Sequence, residues 1–542
     1  MSGSTLQHEQ RPWKGLAFVA LGVSMIMLDT TVVNVALPWM AFDLGFTTSD
    51  TQWVVAAYSL TFASLLILAG RMADALGRRR LFIIGATLFV ISSMGIGLST
   101  TSTMVILGRA IQGIGASIIM PSSLSMINAS FTGRSRTTAF AVWGGTIGGM
   151  AALGPLVGGW MTTYHSWHWA FFANLPVSIL VIVGVLRTMP ESRDPHASHA
   201  ADRPGIALST LGLAGIVFAL IEGQRLGWLR AITRLDFGPI TLPVGSVALP
   251  LVAMVLGVAG VIGFIVVERR RQAADLPLLL DLRLFAIPSF RAGTIVALIV
   301  SLGEFGLLFV LPLFVQGTLG YDPMQTGVLL LALAAGSFLA SGAGAGMAHR
   351  MGAVRVLQIG MALEAIGIAG MGLTLSVDAT RLSLAPTLFI YGLGIGFATA
   401  QLTGVILRDV PLERSGQASA VQSTARQVGA AVGTAILGAS LAVATSASVT
   451  SSLLAQGVTA ARANQIAEFV TDTAGQLIQF LILQPHGQML VDAAHQGFTS
   501  ATRWVALIAT AFVLLGLFAS FRLPGQAKTS EAEEEAPAAA ER

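Results

Sequence analysis

The chain of 542 residues contains no cysteine, which excludes disulfides, thiolate catalysis and cysteine-ligated metal sites. Lysine occurs only as Lys14 and Lys528, and neither forms the phosphate-binding loop G-x-x-x-x-G-K-[ST]. Charged residues are equally scarce, at 11% of the chain against 54% hydrophobic residues. A soluble globular protein carries about 25% charged residues, so this composition indicates a polytopic membrane protein.

The hydrophobic residues are concentrated in blocks of about 20, the length that crosses a bilayer as an α-helix. We predict an all-α membrane protein with fourteen transmembrane helices. The predicted spans are residues 16–37, 53–69, 81–98, 104–127, 139–161, 169–186, 206–221, 244–267, 294–315, 326–347, 356–375, 386–407, 418–443 and 504–521.

The basic residues predict the orientation of these spans. With both termini in the cytoplasm, the inner loops and tails hold about 23 of the 31 arginine and lysine residues, and the outer loops hold six. Basic residues accumulate on the cytoplasmic side of membrane proteins. We therefore expect a multi-pass protein of a bacterial inner membrane with both ends in the cytoplasm.

A faint internal repeat divides the predicted spans into two halves. The segments Ala73–Gly77, Gly113–Gly115 and Ala141–Gly154 match Ala348–Gly352, Gly394–Gly396 and Ala420–Gly433 at offsets of 275, 281 and 279 residues. Spans one to six thus repeat as spans nine to fourteen, as in transporters built from parallel repeats. We predict a first six-helix half at 1–200, two inserted helices at 201–285 and a second six-helix half at 286–523. The second half includes a long outer loop at 444–500, and a disordered acidic tail follows at 524–542.

The loop after span two, GRMADALGRRR, carries Gly70, Asp74, Gly77 and Arg78. Its glycines allow a close helix approach and a tight reversal, and Asp74 can meet a helix N-terminus or an arginine. This pattern resembles the signature loop of the major facilitator superfamily. The resemblance implies two halves that rock about a central site, with this loop as a conformational latch.

Further segments resemble the fourteen-span drug:proton antiporter family within that superfamily. They are LDTTVVNVALP (Leu28–Pro38), LGRAIQGIGAS (Leu107–Ser117), GPLVGGW (Gly154–Trp160) and STARQVGAAVG (Ser423–Gly433). The third contains the glycines and proline of the antiporter motif, namely Gly154, Pro155, Gly158 and Gly159. Two positions depart from the family pattern: Met150 stands where the motif begins with glycine, and His168 stands where the family has arginine.

Charged residues inside the spans are the candidate proton-coupling groups, because each is costly at mid-bilayer unless it is paired or faces water. The resemblance makes Asp29 the proton-coupling carboxylate and ties Arg109 to the same role. A structural Asp29 bonded to Thr30, Thr31 or Asn34, and a fixed salt bridge for Arg109, are the alternatives. Glu304 and Glu364 are candidates for a second titrating acid, with a buried structural acid as the alternative for each. Glu222 lies near an outer end, and Arg426 is expected to pair with an acid.

The resemblance implies proton-driven efflux of lipophilic, cationic compounds by alternating access. Small lipophilic substrates, protons and membrane lipids are the expected partners, and nucleic acid is not. We expect no enzymatic activity, cofactor or metal, and a periplasmic adaptor protein is left open. Export of a self-made antibiotic or metabolite is the first alternative, and a nutrient importer or uniporter of the same fold is the second.

Overall fold

The computed structural model describes residues 3–46, 48–193, 202–237, 240–473, 475 and 478–524. The predicted acidic tail lies outside these residues beyond position 524. Helices dominate the described chain. Those of the first half are α1 (Gly3–Leu44), α2 (Thr48–Leu76), α3 (Arg78–Gly97), α4 (Ser102–Ser130), α5 (Gly133–Tyr164), α6 (His168–Phe172) and α7 (Asn174–Thr188).

The middle of the chain contains α8 (Arg203–Leu226) and α9 (Leu249–Ala273), separated by the strands β1 (Leu235–Phe237) and β2 (Ile240–Leu242). The two strands pair antiparallel and form one short hairpin in an otherwise helical chain. The helices of the second half are α10 (Pro288–Gly317), α11 (Pro323–Met351), α12 (Ala353–Thr374), α13 (Arg381–Leu407), α14 (Ser415–Ala455), α15 (Ala460–Asp472) and α16 (Gly487–Ser520).

Thirteen helices of the described chain are long and apolar enough to cross a membrane. They correspond to the predicted spans with one exception, α5, which forms a helix of 32 residues at the fifth span but is not among the thirteen. The membrane character predicted from composition is confirmed, and the count of fourteen stays a prediction.

The helix pairings of the first half recur in the second. In the first half α1 packs on α5 and α7, while α4 packs on α2 and α3. In the second half α10 packs on α14 and α16, while α13 packs on α11 and α12. The repeated turns agree with this pattern, because Gly77 and Gly352 end α2 and α11 with φ of 111° and 90°. Glycine adopts such positive φ without the strain that a side chain would bring. The residue bounds assigned to the two halves stay a prediction.

The two inserted helices, α8 and α9, pack on each other through glycine. A Cβ added to Gly215 would lie 3.0 Å from the Cα of Gly257, and one added to Gly260 would lie 2.9 Å from the Cα of Gly212. Small residues of this kind let transmembrane helices approach closely. The pair is held to the two halves through contacts of α8 with α2 and α14.

The described residues between 444 and 500 are largely helical, where the sequence predicts a long outer loop. Helix α14 continues to Ala455, α16 already begins at Gly487, and between them α15 and a 3-10 helix at Ile478–Leu483 fold onto the second half. The reason is an apolar face, because Ile466 and Val470 of α15 and Ile478 and Leu481 are buried in its hydrophobic core. This segment is therefore an extension of the second half.

We expect the end of α14 at Ala455 to face the outside and the turn at Leu412 to face the cytoplasm, because basic residues concentrate on the inner side. Cysteines introduced singly at these positions into the cysteine-free chain can be labelled in intact cells with an impermeant thiol reagent. Labelling is expected at position 455. Labelling of position 412 from outside would contradict the predicted orientation.

Candidate proton site and conformational latch

Asp29 and Arg109 form an ion pair inside the first half. The carboxylate lies on α1 and the guanidinium on α4, with Arg109 Nη1 2.6 Å from Asp29 Oδ2, and each side chain is only 1% exposed. Two isolated charges would be unstable in this low-dielectric interior, whereas a paired and hydrogen-bonded carboxylate and guanidinium offset each other. The structure thus brings together two of the residues predicted from the sequence.

Two amides complete the shell around Asp29. Gln112 Nε2 donates to Asp29 Oδ1 at 2.8 Å, and Asn174 Nδ2 donates to the same oxygen at 3.1 Å. Arg109 Nη1 in turn donates to Gln112 Oε1 at 2.7 Å. Four side chains on three helices, α1, α4 and α7, therefore make one polar network.

The Arg109 guanidinium has further partners on α2. Its Nε donates to the carbonyl oxygen of Val54 at 3.2 Å, and its Cζ lies 4.2 Å from the centre of the Tyr58 ring. A cation over an aromatic face is attracted by the ring quadrupole. These contacts do not depend on Asp29. The ion pair can therefore break while the guanidinium keeps a hydrogen bond and a cation–π contact.

In the alternative structural role, the Asp29 carboxylate would accept hydrogen bonds from Thr30, Thr31 or Asn34. Thr30 Oγ1 donates instead to the carbonyl oxygen of Ile26, and Thr31 Oγ1 donates to those of Met27 and Leu28. Both threonines therefore bond to their own helix, and that interpretation is wrong for them. The side chain of Asn34 lies outside the described part of the structure.

The glycine motif of α5 packs directly against α1 at the turn that follows Asp29. A Cβ on Gly154 would overlap the side chain of Thr31, and one on Gly158 would lie 3.1 Å from the Cα of Val32. The carbonyl oxygens of Gly158 and Gly159 accept hydrogen bonds from Thr162 Oγ1. Pro155 belongs to the same helix, and its side chain lies outside the described part. The motif thus permits close contact between the helix that carries Asp29 and the main helix at the interface of the two halves.

Helix α5 also reaches into the second half. Ser341 Oγ of α11 donates to the carbonyl oxygen of Ala141 at 2.6 Å, and a Cβ on Gly149 would overlap the ring of Phe338. Movement of α5 would therefore be transmitted both to α1 and to the other half.

Asp74 connects the two halves at the end of the bundle that carries the Gly70–Arg80 loop, called here the latch end. Its carboxylate accepts hydrogen bonds from the backbone N–H groups of Gly416 at 2.9 Å and Gln417 at 3.0 Å, at the start of α14. Arg78 binds the same carboxylate at 3.0 Å and donates to the carbonyl oxygen of Leu412. Carboxylates at helix N-termini are stabilised by unpaired N–H groups and by the helix dipole. Asp74 therefore meets both kinds of partner that the sequence suggested.

Two glycines allow this contact. A Cβ on Gly70 would lie 2.5 Å from the carbonyl oxygen of Gly416, so α2 and α14 cross with almost no space between them. Gly77 provides the reversal into α3, where the backbone N–H groups of Arg79 and Arg80 donate to the Glu191 carboxylate. The aligned residue of the second half is His349, so the acidic group of the latch is not repeated.

A second contact closes the same end. Arg136 of α5 donates to the carbonyl oxygen of Arg408 at 3.4 Å, at the end of α13. Hydrogen bonds from Arg408 hold the pKa of the neighbouring Asp409 below its usual range, and Arg136 adds to this electrostatically. Asp409 therefore stays ionised and attracts Arg136 across the interface.

The second half contains its own buried charges. Glu304 of α10 and Arg426 of α14 are 3.4 Å apart, with side chains 3% and 11% exposed. Glu304 lies 275 residues after Asp29, the offset already seen between Gly77 and Gly352. The two carboxylates thus occupy matching helices of the two halves, and each has an arginine partner. Arg426 pairs with an acid as the sequence indicated.

Glu364 and Glu222 do not pair with an arginine of another helix as Asp29 and Glu304 do. Glu364 of α12 is fully buried, and neither of its carboxylate oxygens has a hydrogen-bond partner in the described part of the chain. Glu222 of α8 is buried too, but it forms an ion pair with Arg225 three residues later. Sequence reasoning grouped these acids, and only the three-dimensional structure separates the paired from the unpaired ones.

Sequence reasoning missed Gln112, Asn174 and Tyr58. Gln112 could have been found, because it stands one turn after Arg109 on the same helix. Asn174 begins α7 and is far from Asp29 in sequence, so no local signal marks it. Among the described residues no group of three or more histidine, aspartate or glutamate side chains is placed to hold a metal ion.

Comparison with known proteins identifies the family. The sequence model of the Major Facilitator Superfamily matches residues 19–434. The chain belongs to the major facilitator superfamily. The transporter is 36% identical over 438 residues to the puromycin resistance protein pur8 of Streptomyces alboniger, covering 79% of this chain and 82% of that protein. It is 30% identical over 512 residues to the multidrug efflux pump LfrA of Mycolicibacterium smegmatis, covering 94% and 96%.

A third relative is the tetracenomycin C resistance and export protein of Streptomyces glaucescens, 31% identical over 80% of this chain and 76% of that protein. Among solved structures, the proton:xylose symporter XylE superposes with a TM-score of 0.59 at 14% identity, covering 98% of this chain and 99% of XylE. At this identity the similarity shows the fold alone. The predicted fold class and family of the transporter are confirmed.

Replacing Gly158 by leucine should block transport, because the added side chain would displace Val32 and separate α5 from α1 near Asp29. We expect at least a tenfold loss of efflux with normal membrane insertion, measured as dye efflux from cells and as protein in the membrane fraction. Gly95→Leu is the matched control, since a Cβ there meets nothing within 4 Å. Full efflux by Gly158→Leu would show that this contact is not needed.

Asp74→Asn should weaken the latch, because the amide nitrogen would face a backbone N–H that now donates to a carboxylate. Hydrogen bonds to charged groups contribute about 1.5–3 kcal/mol each, so the ratio of closed to open molecules should fall at least tenfold. Spin labels on cysteines at the exposed positions Leu76 and Leu412 would report a longer distance, and transport should fall while substrate binding remains. Glu413→Gln, an exposed acid in the same turn, is the control. Loss of both binding and membrane insertion would instead make Asp74 a folding residue.

Proposed function

We propose that the transporter exports lipophilic monovalent cations in exchange for protons, with Asp29 as the proton carrier. The observation that carries this proposal is the buried Asp29–Arg109 pair, whose carboxylate lies one turn from the glycine contact between α1 and α5. The puromycin, tetracenomycin C and multidrug names of its relatives support export as the direction and drugs as the class of cargo.

The network around Asp29 provides a way to couple protonation to movement. A proton on Asp29 removes its attraction to Arg109, which keeps Val54, Gln112 and the Tyr58 ring as partners. Asp29 can then move with α1 relative to α4, and the glycine contact transmits this movement to α5. A proton thus alters the balance between two conformations by its differential affinity for them.

The latch at Asp74 determines which end of the bundle opens. In the structure the latch end is closed by the contacts of Asp74 with α14 and of Arg136 with the end of α13. The concentration of arginine at this end supports a cytoplasmic position for it, with both termini on the same side of a bacterial inner membrane. The structure then corresponds to a state whose inner end is shut, ready to take up protons from outside.

Cations are the favoured cargo because an ionised carboxylate in an apolar interior attracts positive charge. Export of an antibiotic made by the host cell is a second candidate, since the tetracenomycin C relative is named as a resistance and export protein. Drug susceptibility of a hypersensitive bacterium expressing the gene separates the two: protection against many unrelated cations favours the first, and protection against a single compound favours the second.

Asp29→Asn should abolish uphill export while still permitting downhill flux, because asparagine cannot exchange a proton. In reconstituted vesicles, an acidic lumen should drive ethidium accumulation by the native transporter and not by the variant. The same substitution at Asp43, also on α1 but bonded to Trp167, should leave accumulation intact.

Asp29→Asn also leaves Arg109 without its counter-charge, and breaking a buried pair costs about 3–5 kcal/mol. The double variant Asp29→Asn, Arg109→Gln restores neutrality and separates loss of folding from loss of coupling. Uphill, pH-driven accumulation by either variant at the native rate would rule out Asp29 as the carrier.

A further inference from the structure

Glu364 is a buried acid that the Asp29 mechanism does not use. It lies in the middle of α12 with no exposed surface, and both carboxylate oxygens lack hydrogen-bond partners among the described residues. Helix α13 packs tightly over it, because a Cβ on Gly394 would come within 2.6 Å of the Glu364 Cα. Glycine has no polar side chain to offer on this face, so Gly394 adds nothing like the amide shell found at Asp29.

The ionisable groups around Glu364 are already engaged. Glu364 is close enough for electrostatic interaction with Glu304 of α10 and Arg426 of α14. The Tyr391 hydroxyl of α13 lies within the same range of both acids. Arg426 binds Glu304, and the Tyr391 hydroxyl donates to the backbone oxygen of Glu304. On α16, Arg503 binds the carbonyl oxygen of Leu375 beyond the far end of α12. In the described part of the chain Arg426 is the positive charge that acts on Glu364, and its hydrogen bond goes to Glu304.

An ionised carboxylate without a partner is not stable in such surroundings and takes up a proton instead. We infer that Glu364 is a second proton-binding residue and that each monovalent cation is exchanged for two protons. This inference rests on the proposed function, in which protonation of Asp29 frees α1 to move. Loss of Asp29 therefore stops exchange altogether, whereas loss of Glu364 removes only the second proton. The inference also distinguishes the roles of the two acids of the second half, because Glu304 is the ionised partner of Arg426 and Glu364 carries the proton.

The cluster has a simple charge balance. One ionised Glu304, one Arg426 and one protonated Glu364 sum to zero, and the partly exposed member is Arg426. A cation bound beside this cluster supplies a positive charge that offsets a second carboxylate, so Glu364 releases its proton as the cation binds. Proton and cation then compete for the same negative charge, which is the requirement for exchange.

The number of protons exchanged determines whether the membrane voltage can drive transport. Exchange of one proton for one monovalent cation moves no net charge, so voltage cannot drive it. With two protons one net charge crosses, and 100 mV changes the equilibrium cation gradient about 50-fold. A pH unit changes the gradient about tenfold for each proton exchanged.

The test uses ethidium and vesicles whose lumen is made positive by a potassium gradient with valinomycin, at equal pH on both sides. The native transporter should accumulate ethidium inside the positive lumen. Passive distribution of a cation has the opposite direction, so protein-free vesicles give an unambiguous baseline. Glu364→Gln copies the protonated side chain in shape, and we expect it to lose this voltage-driven accumulation. With an acidic lumen and no voltage it should still accumulate ethidium, about tenfold per pH unit instead of about 100-fold.

Glu222→Gln is the matched control, because it changes another buried acid that lies outside the cluster and should behave as the native transporter does. Voltage-driven accumulation by Glu364→Gln at the native extent would overturn the inference, as would a native transporter that responds to pH but not to voltage. A native transporter that responds to neither gradient would instead contradict the proposed proton exchange itself.

If Glu364→Gln does not transport, the number of protons released per bound ethidium can be measured on the detergent-solubilised protein instead. The inference requires two protons per bound ethidium for the native transporter and one for the variant, and equal numbers would overturn it. If Glu364→Gln does not fold, Glu364→Asp keeps a titratable group in place and should release two. Release of one proton by the native transporter would overturn the inference without any variant.

Discussion

A charge buried in a membrane protein needs an opposite charge or hydrogen-bond partners beside it. In the first half this requirement determines which helices pack around Asp29 and Arg109. Neither side chain has access to bulk water in the structure, so each depends on groups supplied by neighbouring helices. Helix α4 provides the counter-charge and Gln112, α7 provides Asn174, and α2 provides a carbonyl oxygen and an aromatic ring. The crossing of these helices is therefore fixed by polar chemistry as much as by apolar packing.

The second half also contains a buried acid with an arginine partner, but fewer polar groups surround it. Glu304 stands at the position related to Asp29 by the internal repeat, and an arginine from α14 replaces the one from α4. No amide shell accompanies this pair among the contacts of the described residues. Two matching helices thus present carboxylates with unequal support, and a transporter with two similar halves can respond differently to protons in each.

The sequence was most informative where a residue type was rare. Charges inside apolar spans are few, so Asp29, Arg109, Glu304, Glu364 and Arg426 stand out from the amino-acid sequence alone. Their partners could not all be found in this way, because an uncharged polar residue such as Asn174 is unremarkable in a membrane helix and its neighbours depend on how distant helices cross. The same limit applies to the state of an acid: Glu304 and Glu364 look equivalent in sequence, and only the position of Arg426 distinguishes them.

Segment boundaries were harder to predict than segment existence. Apolar length predicted the membrane helices well, but α14 and α16 extend beyond their apolar cores into sequence that composition assigned to a loop. The buried residues of α15, Ala463, Ile466, Ala467 and Val470, follow the i, i+3, i+4, i+7 spacing of an amphipathic helix, but the segment is too short and too polar to be predicted as a membrane span. The hairpin of β1 and β2 was missed because strands of three residues carry no usable periodicity.

The latch has an acidic group on only one side of the repeat, since His349 stands where a second Asp74 would be. Closure by helix-terminus bonding is therefore favoured for one conformation and has no equal counterpart for the other. A transporter biased in this way rests with its latch end shut. In that resting state Asp74 must first give up the two backbone N–H groups of α14, so opening of the latch end needs an input of free energy that closing does not.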